Sequence, residues 1–589
     1  LGELFDQTGR LMCGIAGILL HPGAEIPTGL LAGFAASLAH RGPDGTGEFI
    51  TPEVALVHTR LAIIDLVTGA QPMSDGPLTL VANGEIYNYR ELREALPPHA
   101  TQSDCEPVLK LFARRSADFA APLRGMYAIA IHDRAFHTLT LSRDLFGIKS
   151  LYIADIPAGL IFASELQVLL AAGVAREIEP GKLRELLHLQ FATGTQSIFK
   201  GIKRVAPGET LTLRNAKIIA RQRLAFPKAI NVPATIPEAM KQLDAVLENA
   251  VDLHQRSDVS YGMFLSGGVD SAVILAMMAR LNAEPVLAFT AGFDDASVAD
   301  ERDAAAVTAR AAGARHERVE ISQAMVWAHL PEIAAAMDDP VADYAIIPTW
   351  FLAQRAAAQV KLVLSGEGGD EMFAGYGRYR AAARWVLPKS MRRKSIFDGL
   401  DVLRYAPPGW RGGIAAAEAL HTSGSRIKNA QRIDIEDWLP HDLLLKLDRC
   451  LMAHGVEGRT PLIDREIAAF AFSLPDDFLV RRGVGKYILR LWLEKNLPQA
   501  RPFAKKQGFD VPVGAWISVH AKPLSELLAR QPVIHEIAHV EKLRPLLEHA
   551  ADKQAGFAAW SLLFTALWHR RHVLDLKPAG DVFESLSEV

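Results

Sequence analysis

Cysteine is nearly missing from this chain: three among 589 residues, at positions 13, 105 and 450. So few thiols, so scattered, exclude a disulfide framework and a cysteine-based zinc site, and they fit a reducing, cytoplasmic compartment. An excess of one charge is missing too. With 64 Lys and Arg against 67 Asp and Glu, the formal net charge is -3, so nothing pulls the protein toward nucleic acid or an anionic membrane. No apolar run reaches the roughly 18 residues needed to span a bilayer, and residues 1–11 lack the basic and apolar regions of a secretory signal. What remains is an ordinary globular composition, 49% apolar and 22% charged. The chain is too long for one core, so two domains, or three, are expected.

The sharpest local feature is Met12-Cys13-Gly14-Ile15-Ala16-Gly17. If translation starts at Met12 and the methionine is removed, Cys13 carries a thiol and a free α-amine on one residue. An amine with a pKa of about 8 can act as that thiol's own base. The competing reading is a small buried hydrophobe, because free cysteine is among the most buried residue types. Leu1 is not an ordinary start residue, so residues 1–12 are expected to be an extension absent from the mature protein.

From Cys13 onward, short β-type runs (Leu78–Ala82, Ala128–His132, Leu151–Ile153) alternate with turn clusters, and helical patterns fall at Gly29–Ala39 and Glu106–Phe119. This pattern predicts stacked sheets flanked by helices over residues 13–215. A proline-bearing linker follows over 216–235, then a second domain over 236–575 and a tail over 576–589. Polar clusters interrupt the apolar runs of the first half: His40-Arg41-Gly42-Pro43-Asp44, His58 to Asp65, Asn83-Gly84-Glu85-Ile86-Tyr87-Asn88, and Ser103-Asp104-Cys105-Glu106. Singly, each has a plain reading. Asn83-Gly84 suits a hairpin turn, Asp104 a helix N-cap, and Arg60 a surface ion pair.

Together with Cys13, in this order, these clusters resemble the glutaminase domain of class II amidotransferases, which has the four-layer αββα N-terminal-nucleophile hydrolase fold. The resemblance implies that Cys13 attacks the side-chain amide of glutamine, forms a thioester and releases ammonia. It gives Arg60 the substrate α-carboxylate, Asp104 the α-ammonium, and Glu85 and the backbone of Leu61, Ile63 and Ile64 the pocket wall. Asn83 and the Gly84 N–H would form the oxyanion hole. Leu145 and Ser150 stand where relatives usually carry arginine and proline.

In the second half an apolar strand runs into Ser266-Gly267-Gly268-Val269-Asp270-Ser271 and then a helix from about Ala272 to Leu281. Such a turn offers backbone N–H groups to phosphate oxygens, but it is not a Walker A loop, since no Gly-Lys-Ser/Thr follows. A second loop, Ser365-Gly366-Glu367-Gly368-Gly369-Asp370-Glu371, repeats the pattern. In an α/β sheet the two could meet across one nucleotide, with Asp270 and Asp370 suited to a shared Mg²⁺.

The pair of loops resembles the ATP-pyrophosphatase (PP-loop) synthetase domain, a doubly wound α/β fold with extra helices. The domain order is that of the glutamine-hydrolysing asparagine synthetase family. The resemblance implies adenine and ribose contacts at Leu265, Ala291, Ser365 and Gly366, and a phosphate loop at Ser266, Gly267, Gly268, Asp270 and Ser271. Glu367 would serve the acyl-adenylate step, and Lys486 would support charge on the transferred phosphates. The implied substrates are glutamine, aspartate and ATP with Mg²⁺, the intermediate is β-aspartyl-AMP, and a water-excluding passage carries ammonia between the sites. Relatives are often dimers, so a homodimer is expected, with no interface named. Two other readings stay open: the same machinery acting on another carboxylate, and a non-catalytic protein built on a decayed enzyme. His316 and His454, which have no partner histidine at a ligand spacing, read as structural.

Overall fold

The computed structural model of the protein describes residues 13–42, 44–229, 231–295, 301–382, 390–392, 394–404, 409–504 and 511–588. The extension, residues 1–12, lies outside them.

Two six-stranded sheets build the first domain. One has the order Ile202–Arg204, Tyr152–Ile156, Gly159–Ala163, Gly14–Leu20, Val54–Arg60, Gly45–Ile50. The other has the order Lys217–Arg223, Glu209–Arg214, Thr138–Arg143, Gly125–Asp133, Leu78–Ile86, Met73–Asp75. Side chains alternate across each strand. On Gly14–Leu20, Ile15 and Leu19 enter the core between the sheets, whereas Ala16, Ile18 and Leu20 face Leu30, Phe34 and Leu38 of the Leu30–Leu38 helix. On Leu78–Ile86, Val81 points between the sheets, and Leu80 and Ala82 meet Val108, Leu109 and Phe112 of the Glu106–Arg115 helix. Helix, sheet, sheet, helix is the αββα arrangement, and it explains why these strands read as unbroken apolar runs: both faces are covered.

The first domain runs one strand past the 215 boundary read from the sequence. Lys217–Arg223 pairs with Glu209–Arg214 but is exposed over nearly its whole length, so no apolar alternation marks it. The second domain opens with the Ile236–Gln255 helix, where the Thr235 side chain accepts from the Glu238 N–H and Pro237 fits the first turn.

The second domain's sheet is parallel, with the order Arg315–Ile321, Leu287–Phe293, Tyr261–Phe264, Leu362–Leu364, Glu457–Arg459. Chain order reverses between the adjacent strands Tyr261–Phe264 and Leu362–Leu364. Ligands bind at such a switch point, beyond the carboxyl ends of the strands. Helices pack around the sheet, among them the 20-residue Lys553–His572 helix, whose Trp560 and Trp568 are fully buried. The stretch read as a tail carries the Val582–Ser587 helix, started by a capping box at Asp581 and docked through buried Val582 and Leu586. No helix among the described residues is long and apolar enough to cross a membrane.

Candidate active sites

Cys13 lies at the start of strand Gly14–Leu20, where the strand leaves the sheet. Its Sγ accepts from the Leu61 N–H at 3.4 Å and approaches the Leu61 carbonyl at 3.6 Å, so the loop after Arg60 forms one wall of its pocket. Burial pushes the thiol up to about 12, opposed by the Leu61 backbone and reinforced by the Glu85 and Glu457 charges. A thiol so desolvated is inert without a base beside it.

Asn83 and Gly84 do not form a turn. They lie inside the Leu78–Ile86 strand, paired with Ala128 and Tyr127, because the strand continues four residues past the Ala82 end read from the sequence. Asn83 is fully buried. Its Nδ2 donates to Ser164 Oγ at 3.2 Å, and the same Oγ accepts from the Ile15 N–H at 3.0 Å, which ties the amide to the Cys13 strand. Gly84 has a φ of 144°, and a Cβ there would fall 1.9 Å from the Met126 carbonyl oxygen, so only glycine fits.

Asp104 does not cap the following helix through its side chain. Its Oδ2 accepts from the Ile86 N–H at 2.7 Å, and burial raises its carboxyl to about 6 against that bond. Burial, with the Asp104 carboxylate beside it, also holds Glu85 well above the usual range. Two desolvated carboxyls side by side favour the arrival of a cation. The structure brings Cys13, Leu61, Glu85 and Asp104 to one buried corner; Ile63 and Ile64, also buried, follow on the same loop. Arg60 turns its Nη2 to the Asp65 carbonyl oxygen.

The nucleotide-loop site is a cavity of about 710 Å³ whose lining includes Leu265, Ser266, Gly267, Gly268, Asp270, Ser271, Ala291, Ser365, Gly366, Glu367, Asp370 and Lys486. Within the first loop, Ser266 Oγ and Ser271 Oγ are 3.0 Å apart, and the Gly267 N–H donates to Glu301 Oε2 at 3.2 Å. The two loops touch: a Cβ on Gly369 would lie 2.4 Å from Asp270 Cγ. Lys486 Nζ joins both loops, bound to Asp270 Oδ2 and to Asp370 Oδ1, the latter at 2.7 Å. Burial works against the Lys486 charge, yet these carboxylates hold its pKa above the ordinary value. Burial likewise raises Glu367, with the Lys446 cation opposing.

Asp270 and Asp370 thus converge from two elements on the Lys486 ammonium. Hard carboxylate oxygens of this kind suit Mg²⁺, which fills its other positions from phosphate and water. Among the described residues no group of three or more such side chains offers a complete protein cage.

Sequence reading placed Arg41 in a polar cluster but assigned no role to it or to the other residues that join the two sites. Arg41 Nε donates to the Cys13 carbonyl oxygen at 3.0 Å, and its Nη atoms bind Asp448 and Glu165. Arg459, from the edge strand Glu457–Arg459 of the second domain's sheet, approaches Glu85 Oε2 at 3.4 Å. Lys446 and Leu447 line the cavity beside the two Ser-Gly loops. The available signal was Leu444-Leu445-Lys446-Leu447-Asp448-Arg449, charges set in an apolar helical run, where burial demands partners.

A four-layer sandwich with a cysteine at the head of a central strand, joined to a parallel sheet with paired Ser-Gly loops at its switch point, defines a two-site amidotransferase. Two family models match, glutamine amidotransferase domain over residues 12–223 and asparagine synthase over residues 242–570. The chain belongs to the asparagine synthase family. It is 31% identical to glutamine-hydrolyzing asparagine synthetase 1 of Bacillus subtilis (strain 168), over 95% of this chain and 96% of that protein. Amidase chry2 of Gibberella zeae is 30% identical over 94% of this chain and 97% of its own length. Asparagine synthetase 1 of Saccharomyces cerevisiae is 27% identical, over 86% of each chain.

Proposed function

We propose that the protein converts aspartate to asparagine, using ammonia from glutamine hydrolysed at Cys13 and ATP to activate the acceptor carboxylate. The observation that carries this reading is the Leu444–Met452 helix. It presents Lys446 and Leu447 to the nucleotide cavity and Asp448 to Arg41, which holds the Cys13 carbonyl. Two half-reactions on either side of one helix need not release ammonia to solvent, where protonation would end its nucleophilicity.

At the first site the Cys13 thiol gives its proton to its own α-amine, once residue 12 is removed, and the sulfur attacks the glutamine side-chain carbonyl. Asn83 Nδ2 and the Gly84 N–H stabilise the oxyanion, the α-ammonium of Cys13 passes the proton to the amide nitrogen, the C–N bond breaks to release ammonia and leave the thioester, and water later cleaves the thioester to glutamate and the free thiol. Arg60, in reach of the pocket through rotation off the Asp65 carbonyl, takes the α-carboxylate, and Asp104 takes the α-ammonium.

At the second site an oxygen of the β-carboxylate attacks the α-phosphorus of ATP and pyrophosphate leaves, with Lys486 beside the departing charge and Glu367 beside the reacting carboxylate. Asp270 and Asp370 would hold Mg²⁺, which offsets phosphate charge. Ammonia then attacks the acyl carbon of β-aspartyl-AMP and AMP departs. The three scattered thiols favour a cytoplasmic location, and a homodimer is carried on family likeness.

The similarity to amidase chry2 supports a second reading, the same chemistry on another carboxylate. Incubation with aspartate, ATP, Mg²⁺ and amide-¹⁵N glutamine, on protein shown by mass to begin at Cys13, separates the two. Labelled asparagine with AMP and pyrophosphate is the expected result. Glutamate released without asparagine would move the acceptor to another carboxylate.

A further inference from the structure

The loop that walls the Cys13 pocket is held from the other domain. Asp258, three residues before strand Tyr261–Phe264, grips it twice: its backbone N–H donates to the Ile63 carbonyl at 3.0 Å, and its Oδ2 accepts from the Asp65 N–H at 2.8 Å. The neighbouring Val259 packs against the apolar cluster that contains Leu61, Ile63 and Ile64. Nearer the start of the loop the Ala62 N–H donates to Asp44 Oδ2 at 3.0 Å, and the same oxygen pairs at 3.0 Å with Lys361, the residue before strand Leu362–Leu364. Residues 61–65 are thus held from the starts of two adjacent strands of the parallel sheet. Asp65 is where this grip meets the groups assigned to glutamine. Its φ of 54° is left-handed, a conformation open to aspartate because its short side chain hydrogen-bonds locally. The Asp65 carboxylate accepts from the Thr68 N–H at 2.8 Å and from the Gln102 N–H at 2.9 Å, two residues before Asp104, while its carbonyl accepts from Arg60 Nη2. Side chain and carbonyl are taken up within the first domain; the N–H goes to Asp258, which fixes the entry into the turn on which Arg60 rests.

We propose that Asp258 is a positioning residue for glutamine. From the second domain it holds the Asp65 turn, so that Arg60 stays beside the Cys13 pocket and the wall at residues 61–64 is formed before substrate arrives. The inference rests on the glutamine hydrolysis proposed for Cys13 and adds to it a residue that touches no substrate. Without the Asp258 carboxylate, Arg60 and the loop must be ordered as glutamine binds, and that cost falls on binding rather than on the chemical step. The Lys361–Asp44 grip on Ala62 does not depend on Asp258, so a variant there keeps the start of the loop in place.

The test is steady-state glutamate release from glutamine by the two-domain enzyme, shown by mass to begin at Cys13, with synthesis from ammonium salts as the control for folding. Asp258→Ala is expected to raise the KM for glutamine about 5–10-fold, with kcat within about twofold of wild type and ammonia-dependent synthesis unchanged. Asp258→Asn, which keeps an acceptor oxygen, is expected to restore the KM. In an Arg60→Ala background the Asp258→Ala change is expected to lose most of its effect on kcat/KM, because a residue that acts through Arg60 then has nothing to position; a merely structural role would add in full. A KM within about twofold of wild type in Asp258→Ala, or additive losses in the double variant, overturns the positioning role and leaves glutamine hydrolysis at Cys13 standing. No glutamate release by the wild type, with ammonia-dependent synthesis intact, overturns both.

Discussion

Arg41 grips Asp448, 407 residues further along the chain, through hydrogen bonds of 2.9 and 3.1 Å. Both side chains are almost wholly buried, and Lys149 and Arg449 add 3.4 and 2.7 Å contacts to the same carboxylate. The guanidinium that binds Asp448 also donates to the Cys13 carbonyl, so Cys13, the proposed nucleophile in one domain, is anchored to a helix of the other.

Removing that anchor is expected to be costly. Asp448→Asn leaves buried cations uncompensated and should lower stability by about 3–5 kcal/mol, measured by chemical denaturation at pH 7. Burial alone would raise the Asp448 carboxyl, but Arg41, Lys149 and Arg449 hold it far below the ordinary value. Its stabilisation is therefore complete above the unfolded pKa of about 4 and lost as pH falls below it. The gap between wild type and variant should narrow from pH 4 downward; a gap constant with pH would show that the charge is not its source.

Cys13→Ala should separate the half-reactions. Glutamine-dependent synthesis is expected to vanish, while synthesis from added ammonium salts continues, with the same AMP yield per asparagine. Loss of the ammonia-dependent reaction as well would mean that Cys13 also supports the second site.

Asn83→Ala removes one oxyanion donor and should reduce glutaminase kcat by about 10²–10³-fold with a smaller change in KM. Gly84→Ala should fail more broadly, since its Cβ has no room beside the Met126 carbonyl. Steady-state glutamate release reads both, with ammonia-dependent synthesis as the internal control for folding.

Lys486→Ala leaves Asp270 and Asp370 facing each other without their shared cation. Pyrophosphate exchange is expected to drop by about 10²–10³-fold, with glutaminase activity retained when glutamine alone is supplied. Lys486→Arg should not restore it, because a planar guanidinium cannot occupy the point between two carboxylates that the ammonium fills.

The reach and limits of sequence reading are visible in particular residues. The Ser-Gly loops after Phe264 and Leu364 were legible as strand-to-helix turns because strand, Ser-Gly turn and helix follow one another locally. Asn83-Gly84 was misleading for the same reason: the dipeptide favours a turn on its own, and pairing with Gly125–Asp133 holds it in a strand instead. Lys217–Arg223 was missed as a strand because its solvent-facing sequence lacks alternation, and its ladder to Glu209–Arg214 alone defines it. The Val582–Ser587 helix was hidden by its shortness, since two buried side chains make no period.

By itself the sequence determined the chemistry available to this protein: a cysteine beside a glycine-rich strand, two Ser-Gly-Asp loops, and the order of two domains. Those depend on side-chain identity and local backbone geometry, which neighbouring residues set. Only the tertiary structure decided which charges meet. Arg41 with Asp448 and Glu85 with Arg459 are pairings between elements that packing, not spacing, brings together. Burial then makes each pairing matter, because a charge removed from water must find a partner, and the fold determines which one it finds.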